Sequence, residues 1–383
     1  MNTYLDWAST TPMSSLALST YTETAAGYIG NPSSIHADGI RAGELLERCR
    51  SQLAELLDTK PGQLYFTSGG TESNHLVLTS LLNGKRRGNI IMTGIEHPAV
   101  YEYAGLFRAQ GFTVRILRTV KGFVDLDHLS TSIDRETQCV ACMLVNNVTG
   151  VIQPMDAVVR VVRQQERHLG RRIHVHTDAV QALGKIPVSL SALGVDSAAF
   201  SAHKFQGPRG TGLLFLRSPL QTLVNGGGQE RDVRPGTEAL PAIASATAAA
   251  EQATAALTEN LTSAAMLKTR LLDHLRRHPE LFTPVADNYR ETTRYSPYIT
   301  TFSCNGIPSE VMVRVLNDSG YSISAGSACS SKNRAKRERV LKNMGFDSRF
   351  CASAVRISPD PGMDSDEFER FCECLCREAA LLH

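Results

Sequence analysis

A strand, a glycine turn and the start of a helix follow one another in Leu64-Tyr65-Phe66-Thr67-Ser68-Gly69-Gly70-Thr71-Glu72-Ser73-Asn74. Residues 64–67 are β-rich, the paired glycines permit a sharp turn, and apolar side chains then recur with helical spacing. Unpaired N–H groups at such a helix start favour an anion, so a phosphate cup and a plain capped turn are both open interpretations. The segment is not a Walker loop, because no Gly-Lys-Ser/Thr follows it.

Similar β-rich runs alternate with helical patterns along the first two thirds of the chain. They cover residues 64–67, 89–93, 112–117, 139–145, 173–176, 198–201 and 212–216. This alternation predicts an α/β domain with a largely parallel sheet between helices. After Pro241 an alanine-rich stretch predicts one connecting helix that ends near Arg277, and the remainder predicts a second, smaller α+β domain.

Composition narrows the class of protein further. The 383 residues carry 40 Lys+Arg against 38 Asp+Glu, so a net charge of +2 excludes a global basic field for nucleic acid or a membrane surface. The 9 cysteines are odd in number and unevenly spread, which argues against a disulfide framework. No signal-peptide pattern is present at the start. We therefore expect a cytoplasmic protein with no direct nucleic-acid or membrane partner.

Three polar side chains share one face of the predicted strand around residue 175. His174, His176 and Asp178 alternate with period two, so they point the same way. The pattern is typical of metallo-hydrolase loops, although Ala179 stands where those loops continue with another His. Alternatively, Asp178 faces the crevice in which open α/β sheets bind ligands, and such a carboxylate needs a cationic partner.

A lysine follows the next predicted strand, within Ser201-Ala202-His203-Lys204. It is either a solvated loop cation or a Schiff-base lysine whose pKa a crevice can lower. An aldehyde cofactor with a phosphate and a basic ring nitrogen would unite these motifs. Gly70, Thr71, Ser201 and His203 would bind its phosphate, Asp178 its ring and Lys204 its aldehyde carbon.

Together these motifs resemble the cysteine desulfurases, which are fold type I pyridoxal-phosphate (PLP) enzymes of the class V aminotransferase group. The resemblance runs almost end to end. It is carried by residues 4–12, 30–36, 67–74, Glu96-His97-Pro98, Val145-Asn146-Asn147, 176–181, 201–210, 226–230, Arg234-Pro235-Gly236-Thr237 and 324–331. It implies a large PLP-binding domain over residues 16–250. Residues 1–15 and 251–383 then form the small domain, which carries the cysteine loop and the substrate arginine.

The resemblance also implies roles for single residues. Lys204 bonds to the PLP aldehyde, Asp178 pairs with the ring nitrogen, Gln181 hydrogen-bonds the ring hydroxyl, and His97 stacks on the ring and moves protons. Gly70, Thr71, Ser201 and His203 bind the phosphate, and Thr237 reaches in from a second subunit, so a homodimer is implied. Asn147 and Arg356 bind the substrate carboxylate, for which a forked guanidinium is well suited. Asn147 also contacts the cofactor.

The implied enzyme is a sulfurtransferase that converts L-cysteine to L-alanine and leaves a persulfide on Cys329. Its sulfur would pass to an acceptor protein, such as a sulfur carrier or an iron–sulfur scaffold, for iron–sulfur cluster assembly or RNA thiolation. A following basic cluster would favour the thiolate and attract an acidic acceptor; it comprises Lys332, Arg334, Lys336, Arg337 and Arg339.

Two other functions fit the same motifs. A selenocysteine lyase would share every cofactor residue. A catalytically weak sulfur-relay or scaffold relative is conceivable because the chain departs from the family at Val148 and at Pro359-Asp360-Pro361. Further departures occur at Asp232 and Val233, and together the departures affect the rim and the substrate side more than the cofactor anchors.

Overall fold

The computed structural model describes residues 2–84, 87–286, 288–326 and 334–383. Its helices are α1 (Ser15–Gly27), α2 (Ala37–Leu56), α3 (Gly70–Ser80), α4 (Pro98–Tyr101), α5 (Tyr103–Ala109), α6 (Leu126–Ser132), α7 (Met155–Leu169), α8 (Leu190–Leu193), α9 (Leu240–Ala255), α10 (Leu257–Arg277), α11 (Ser309–Asp318), α12 (Arg334–Asn343), α13 (Ser348–Ser353) and α14 (Ser365–Leu382). Its strands are β1 (Thr3–Tyr4), β2 (Leu64–Thr67), β3 (Asn89–Thr93), β4 (Thr113–Leu117), β5 (Thr119–Val120), β6 (Phe123–Val124), β7 (Thr137–Ala141), β8 (His174–Asp178), β9 (Ser197–Ser201), β10 (Gly212–Leu216), β11 (Phe282–Pro284), β12 (Thr300–Cys304), β13 (Tyr321–Ser322) and β14 (Ala354–Ile357).

The largest sheet has the strand order β2-β10-β9-β8-β7-β3-β4. Strand β10 runs antiparallel to both of its neighbours, and the other pairings are parallel. Strands β2, β3, β9 and β10 are buried along their whole length, as expected for a sheet covered by helices on both faces. The predicted α/β architecture is confirmed.

Each of the seven strands of the large sheet overlaps a predicted β-rich run. One predicted run and the predicted connecting helix differ from the structure in extent. The run predicted over residues 139–145 is β7, which ends at Ala141; beyond it the backbone leaves the ladder, although the Cys142 and Leu144 amides still donate to β8 carbonyls. The single alanine-rich helix is two helices, α9 and α10, because Ala256 has the non-helical angles φ −87° and ψ 5°. None of the helices in the described ranges combines the length and apolar character that crossing a bilayer requires.

The molecule has two principal hydrophobic cores. One lies between the large sheet and its helices and includes Phe66, Phe200 and Phe215. The other surrounds the three-stranded sheet β11-β12-β14 and includes Phe302 and Phe368. Burying one such phenylalanine contributes about 1.5–3 kcal/mol. The assignment of residues 1–15 and 251–383 to one domain and of residues 16–250 to the other remains a prediction.

The topology brings several loops to one edge of the large sheet. Strands β2, β3, β7, β8 and β9 run in the same direction, so their carboxyl ends meet at that edge. Ligands of open α/β sheets bind at this edge, in a crevice outside the carboxyl ends of the strands. The segments that follow these strands contain most of the predicted site residues.

Candidate active site

A cavity of about 450 Å³ opens at this edge of the sheet. The predicted site residues that line it are Gly70, Thr71, His97, Asn147, Asp178, Gln181, Ser201, His203, Lys204 and Arg356. Thr237 is exposed and does not line this cavity. Cys329, Lys332 and the side chains of Arg334, Lys336 and Arg337 lie outside the described residues. A larger open groove beside α10, about 1280 Å³, contains none of the predicted residues.

Helix α3 begins at one end of the cavity. Its N-cap is Gly69, which has φ +150° and no side chain that could cap the first amides. Gly70 leaves no room for a side chain, since a Cβ there would lie 2.4 Å from a methyl group of Val180. Ser201, at the end of β9, lines the same end of the cavity. An uncapped helix N-terminus beside a hydroxyl group can bind a phosphate.

Asp178 forms the floor of the cavity and accepts hydrogen bonds on both oxygens. Asn74 Nδ2 donates to Oδ2 at 2.8 Å, and the Val180 amide donates to Oδ1 at 3.1 Å. Because the amide nitrogen of Asn74 is used in this way, its Oδ1 must accept from His176 Nε2, which lies 2.8 Å away. Asp178 is thereby held as an acceptor by groups whose orientation is fixed.

The same reasoning extends to the two histidines of β8. With a proton on Nε2, neutral His176 accepts at Nδ1 from the Ser197 hydroxyl (2.8 Å), and that hydroxyl accepts from His174 Nε2 (2.7 Å). Burial lowers the pKa of His176 to about 3, and the neighbouring His174 adds to the shift. Both ring nitrogens of His176 are therefore engaged in a donor chain towards Asp178 rather than facing a common metal position. Among the described residues no group of three or more His, Cys, Asp or Glu side chains could hold a metal ion.

Lys204 lies in the short 3-10 turn that follows β9. Its Nζ donates to the carbonyl oxygen of Ala8 at 2.8 Å and to that of Ser9. The Ala8 carbonyl also accepts from Gln181 Nε2 at 2.8 Å, so the amino-terminal segment closes this side of the cavity. The amine is placed inside the crevice by the backbone, which excludes the solvated-loop interpretation.

A second lysine lies directly behind Gln181. Lys185 is buried, and its Nζ donates to Gln181 Oε1 at 2.8 Å. This bond fixes which end of the Gln181 amide carries the donor. Burial lowers the pKa of Lys185 well below its usual value, and the charges of Lys204 and Arg356 act in the same direction.

Two histidines of the cavity lining make hydrogen bonds through Nδ1. Burial lowers the pKa of His203 to about 4, with the Lys204 charge as the next cause, and its Nδ1 lies 3.1 Å from the Thr10 hydroxyl. His97 is the N-cap of α4 and accepts the Ala99 amide at Nδ1, 3.1 Å away. The neutral His97 ring therefore carries its proton on Nε2.

Glu96, next to His97, is a buried carboxyl group. Its Oε1 accepts from the Thr93 hydroxyl and from the Met143 amide at 2.8 Å. Its Oε2 meets no hydrogen-bond partner among the described residues. Burial raises the pKa of Glu96 to about 7, against the lowering effect of these two hydrogen bonds.

Arg356, in β14, lines the same cavity as Lys204 and is almost fully buried, with 1% of its surface exposed. Nη2 donates to Asp6 Oδ1 at 2.6 Å and to the Ser9 hydroxyl, and Nη1 donates to the Asn147 carbonyl at 2.8 Å. No acceptor meets its Nε within the part of the chain that the structure describes. A buried, unused N–H of a guanidinium is suited to an incoming carboxylate.

Several residues of the site were not predicted from the sequence. Asn74 lies one turn after Gly70 on α3, so helical spacing could have indicated that it faces the cavity. Lys185 has no local signal, because nothing in its neighbourhood predicts burial of an amine. Ala8 and Ser9 contribute backbone carbonyl groups, which a motif of side chains cannot indicate.

Comparison with known proteins places this site in a family. The model of the family Aminotransferase class-V matches residues 3–371. A NifS/IcsS protein homolog of Lactobacillus delbrueckii subsp. bulgaricus is 36% identical over 376 residues, which cover 96% of this chain and 94% of that protein. The cysteine desulfurase IscS of Methanosarcina thermophila is 31% identical over 383 residues, 97% of this chain and 90% of that protein.

The fold is similar to solved structures over its whole length. A structure described as a NifS-like protein superposes with a TM-score of 0.91 and 32% sequence identity, covering 100% of both chains. The predictions of family and fold type are confirmed. The chain belongs to the class-V aminotransferase family and, within it, to the cysteine desulfurases.

Proposed function

We propose that this protein is a PLP-dependent cysteine desulfurase, which transfers sulfur from L-cysteine to its own Cys329 and releases L-alanine. The observation that carries the proposal is the convergence of Lys204, Asp178, His97 and the start of α3 on one cavity. Each group comes from a different strand end, and each meets one chemical need of the same cofactor.

The residues of the cavity fit PLP in charge and in kind. The amides of Gly70 and Thr71, the Ser201 hydroxyl and neutral His203 would bind its phosphate. Asp178, both oxygens of which accept N–H donors, would pair with the ring nitrogen. Gln181 would donate to the ring hydroxyl, and Lys204 would bond to the aldehyde carbon. A volume of about 450 Å³ is within the usual range of small-ligand sites.

The chain's own groups would then bind and deprotonate the substrate. Arg356 and Asn147 would hold the carboxylate of L-cysteine, with Arg356 Nε as an unused donor. Lys204 would take the proton from Cα as a neutral amine, and the proton that His97 would move is the one on its Nε2. The bound cofactor would supply an electron sink for the negative charge that develops at Cα.

Sulfur transfer would follow at Cys329, which lies outside the described residues. Its thiolate would attack the substrate sulfur, so that an S–S bond forms while the C–S bond breaks. The electron pair of the broken bond stays with Cβ, which takes up a proton to give the methyl group of L-alanine. The persulfide on Cys329 then holds sulfur in the form that an acceptor protein can receive.

A homodimer is part of the proposal. Thr237 is exposed on its own chain, as a residue that completes a partner's site would be. Several large apolar side chains of α1, α2 and the segment between them are also exposed, among them Leu18 (56%), Ile29 (81%) and Ile35 (95%). Such a patch marks a contact surface. Thr237 would contact the phosphate of the partner's cofactor.

We infer that the sulfur serves iron–sulfur cluster assembly or RNA thiolation in the cytoplasm, through an acidic acceptor protein. The basic residues that follow Cys329 closely in the sequence support an acidic partner. The relatives named NifS and IscS support a sulfur-supplying role.

The decisive experiment incubates the purified protein with L-cysteine and measures alanine while persulfide is mapped by mass. Wild type should release alanine and carry the added sulfur at Cys329. Cys329→Ala should keep the cofactor's absorbance but form no persulfide at that position, whereas Lys204→Ala should lose the covalent bond to the cofactor. Full sulfur release by either variant would overturn the assigned roles, and alanine release from selenocysteine alone would point to a selenocysteine lyase.

A further inference from the structure

Arg339 of α12 contacts the turn that presents His97. Its Nη1 donates to the Gly94 carbonyl at 2.6 Å, and its Nη2 donates to the Glu96 carbonyl. Its guanidinium carbon also lies 3.8 Å from the ring centroid of Tyr101, the last residue of α4. One side chain thus contacts the backbone before His97 and the helix after it.

The turn depends on side chains because its carbonyls lie outside the sheet ladder. Three successive carbonyls accept from side chains: Gly94 and Glu96 from Arg339, and Ile95 from Asn146 Nδ2 at 3.0 Å. A buried carbonyl that loses its donor keeps the cost of its removal from water without a compensating hydrogen bond. Removal of the guanidinium would leave two of the three without their partner.

Helix α12 approaches this turn as closely as a glycine allows. A Cβ on Gly94 would lie 2.3 Å from Asn343 Oδ1, and Asn343 Nδ2 in turn donates to the Arg339 carbonyl at 2.9 Å. On its other side α12 packs Val340 and Leu341 into the core of the small sheet. The helix therefore links that core to the loop that carries His97.

The sequence indicated Arg339 only as one cation of a basic cluster. Its guanidinium is instead half-buried and bound to carbonyls and an aromatic face, with a geometry that a lysine cannot reproduce. We propose that Arg339 is a positioning residue that sets the His97 imidazole for proton transfer at the Cα of the substrate. This inference rests on the proposed function.

The test measures exchange of the Cα proton of L-alanine in D₂O by NMR, a reaction that needs no sulfur transfer. In Arg339→Gln the maximal exchange rate should fall on the order of 10-fold to 100-fold, because small misplacements of a catalytic group have effects of that size. The alanine concentration at half-saturation should stay within about twofold, since Arg356 and Asn147 are untouched. Arg339→Lys should recover part of the rate, and Arg314→Gln, an exposed arginine of α11, should behave as wild type.

The outcomes separate this inference from the proposed function. A wild type that neither exchanges the alanine proton nor makes alanine from cysteine contradicts the proposed function. If wild type is active and a folded, cofactor-loaded Arg339→Gln exchanges the alanine proton equally fast, the inference alone is overturned. The inference is also overturned if the maximal exchange rate and the alanine concentration at half-saturation of Arg339→Gln change in parallel. Should Arg339→Gln not fold, Arg339→Lys and Tyr101→Leu are judged by the same two quantities.

Discussion

The floor and the wall of the cavity each bury a carboxyl group, in different surroundings. On the floor, both oxygens of Asp178 accept N–H donors from Asn74 and Val180. On the wall, formed by the turn of residues 94–97, one oxygen of Glu96 accepts two donors and the other meets none within the described residues. Burial raises the pKa of Glu96 to about 7.

The two acids differ in their hydrogen-bond donors rather than in their depth. Asp178 is 5% exposed and Glu96 is 1% exposed, so burial alone would treat them alike. Behind Asp178 stands a chain of donors that begins at His174 and passes through Ser197, His176 and Asn74. Hydrogen bonds to the charged form favour it, whereas an oxygen without a donor favours the neutral acid. The floor thus presents an acid with N–H donors on both oxygens, and the wall places beside His97 an acid whose pKa is raised to about 7.

Replacing the charge of the floor should have the largest effect. In Asp178→Asn, an NH₂ group must face a donor, either Asn74 Nδ2 or the Val180 amide, and the partner of the cofactor ring loses its charge. We expect alanine formation to fall about 150-fold to 4000-fold, the equivalent of the roughly 3–5 kcal/mol typical of breaking a buried charge pair. The rate per cofactor-loaded enzyme measures it.

The matched control is the same change at a buried aspartate remote from the cavity. Asp196 precedes β9, at the opposite end of that strand from Ser201, and pairs with Arg163 at 2.7 Å. Asp196→Asn should lower the free energy of unfolding but leave the rate per loaded enzyme near that of wild type. Equal losses of rate in both variants would show that Asp178 acts only through stability.

The donor chain of the floor should reveal itself in the pH dependence of stability. Burial lowers the pKa of His176 to about 3, below the ordinary value of 6.5, so the unfolded chain binds the proton first as the pH falls. Its contribution is complete above about pH 6.5 and decreases by about 1.4 kcal/mol per pH unit below it. In His176→Gln the free energy of unfolding should therefore change less steeply between pH 6.5 and pH 4. Urea unfolding at several pH values tests this, and identical slopes for the two proteins would contradict it.

Most of the fold was predictable because its strands are short apolar runs of distinct composition. The seven strands of the large sheet followed from such runs. The break between α9 and α10 did not, because alanine is a strong helix former and Ala256 carries no breaking signal. Tertiary packing decides such a position.

Much of the site was predictable because its residues follow strand ends, where motif and topology coincide. The role of the β8 histidines stayed open, because a shared face is compatible with both a metal and a hydrogen-bond chain until the residues opposite are known. Asn74 and Ser197, far away in sequence, decide between them.

Two departures from the family pattern have structural explanations. Val148 is buried in the core of the small sheet, so an apolar residue fits there. Asp232 has φ +63°, a conformation that glycine adopts freely and that aspartate tolerates better than most residues. The adjoining turn is held by the buried, bidentate pair of Arg50 and Glu230, at 2.8 and 2.7 Å.

The wall should respond to pH in the opposite direction from the floor, although less strongly overall. The pKa of Glu96 is raised from its ordinary 4.5 to about 7, so the unfolded chain loses its proton first as the pH rises. Its contribution is complete below about pH 4.5 and is lost by about 1.4 kcal/mol per pH unit until about pH 7. Glu96→Gln keeps the oxygen that accepts from Met143 and removes the titration, so its stability relative to wild type should rise between pH 4.5 and pH 7 and stay level above.

Urea unfolding across that range provides the measurement, with Glu44→Gln, an exposed position on α2, as control. The control should follow wild type at every pH. His176→Gln and Glu96→Gln remove contributions of opposite sign to the slope of unfolding free energy against pH. Between pH 4.5 and pH 6.5 the slopes of the two variants should therefore differ more from one another than either differs from the slope of wild type. A Glu96→Gln curve parallel to that of wild type would mean that the folded chain does not raise the pKa of Glu96, and the oxygen without a donor would then have no effect on this acid.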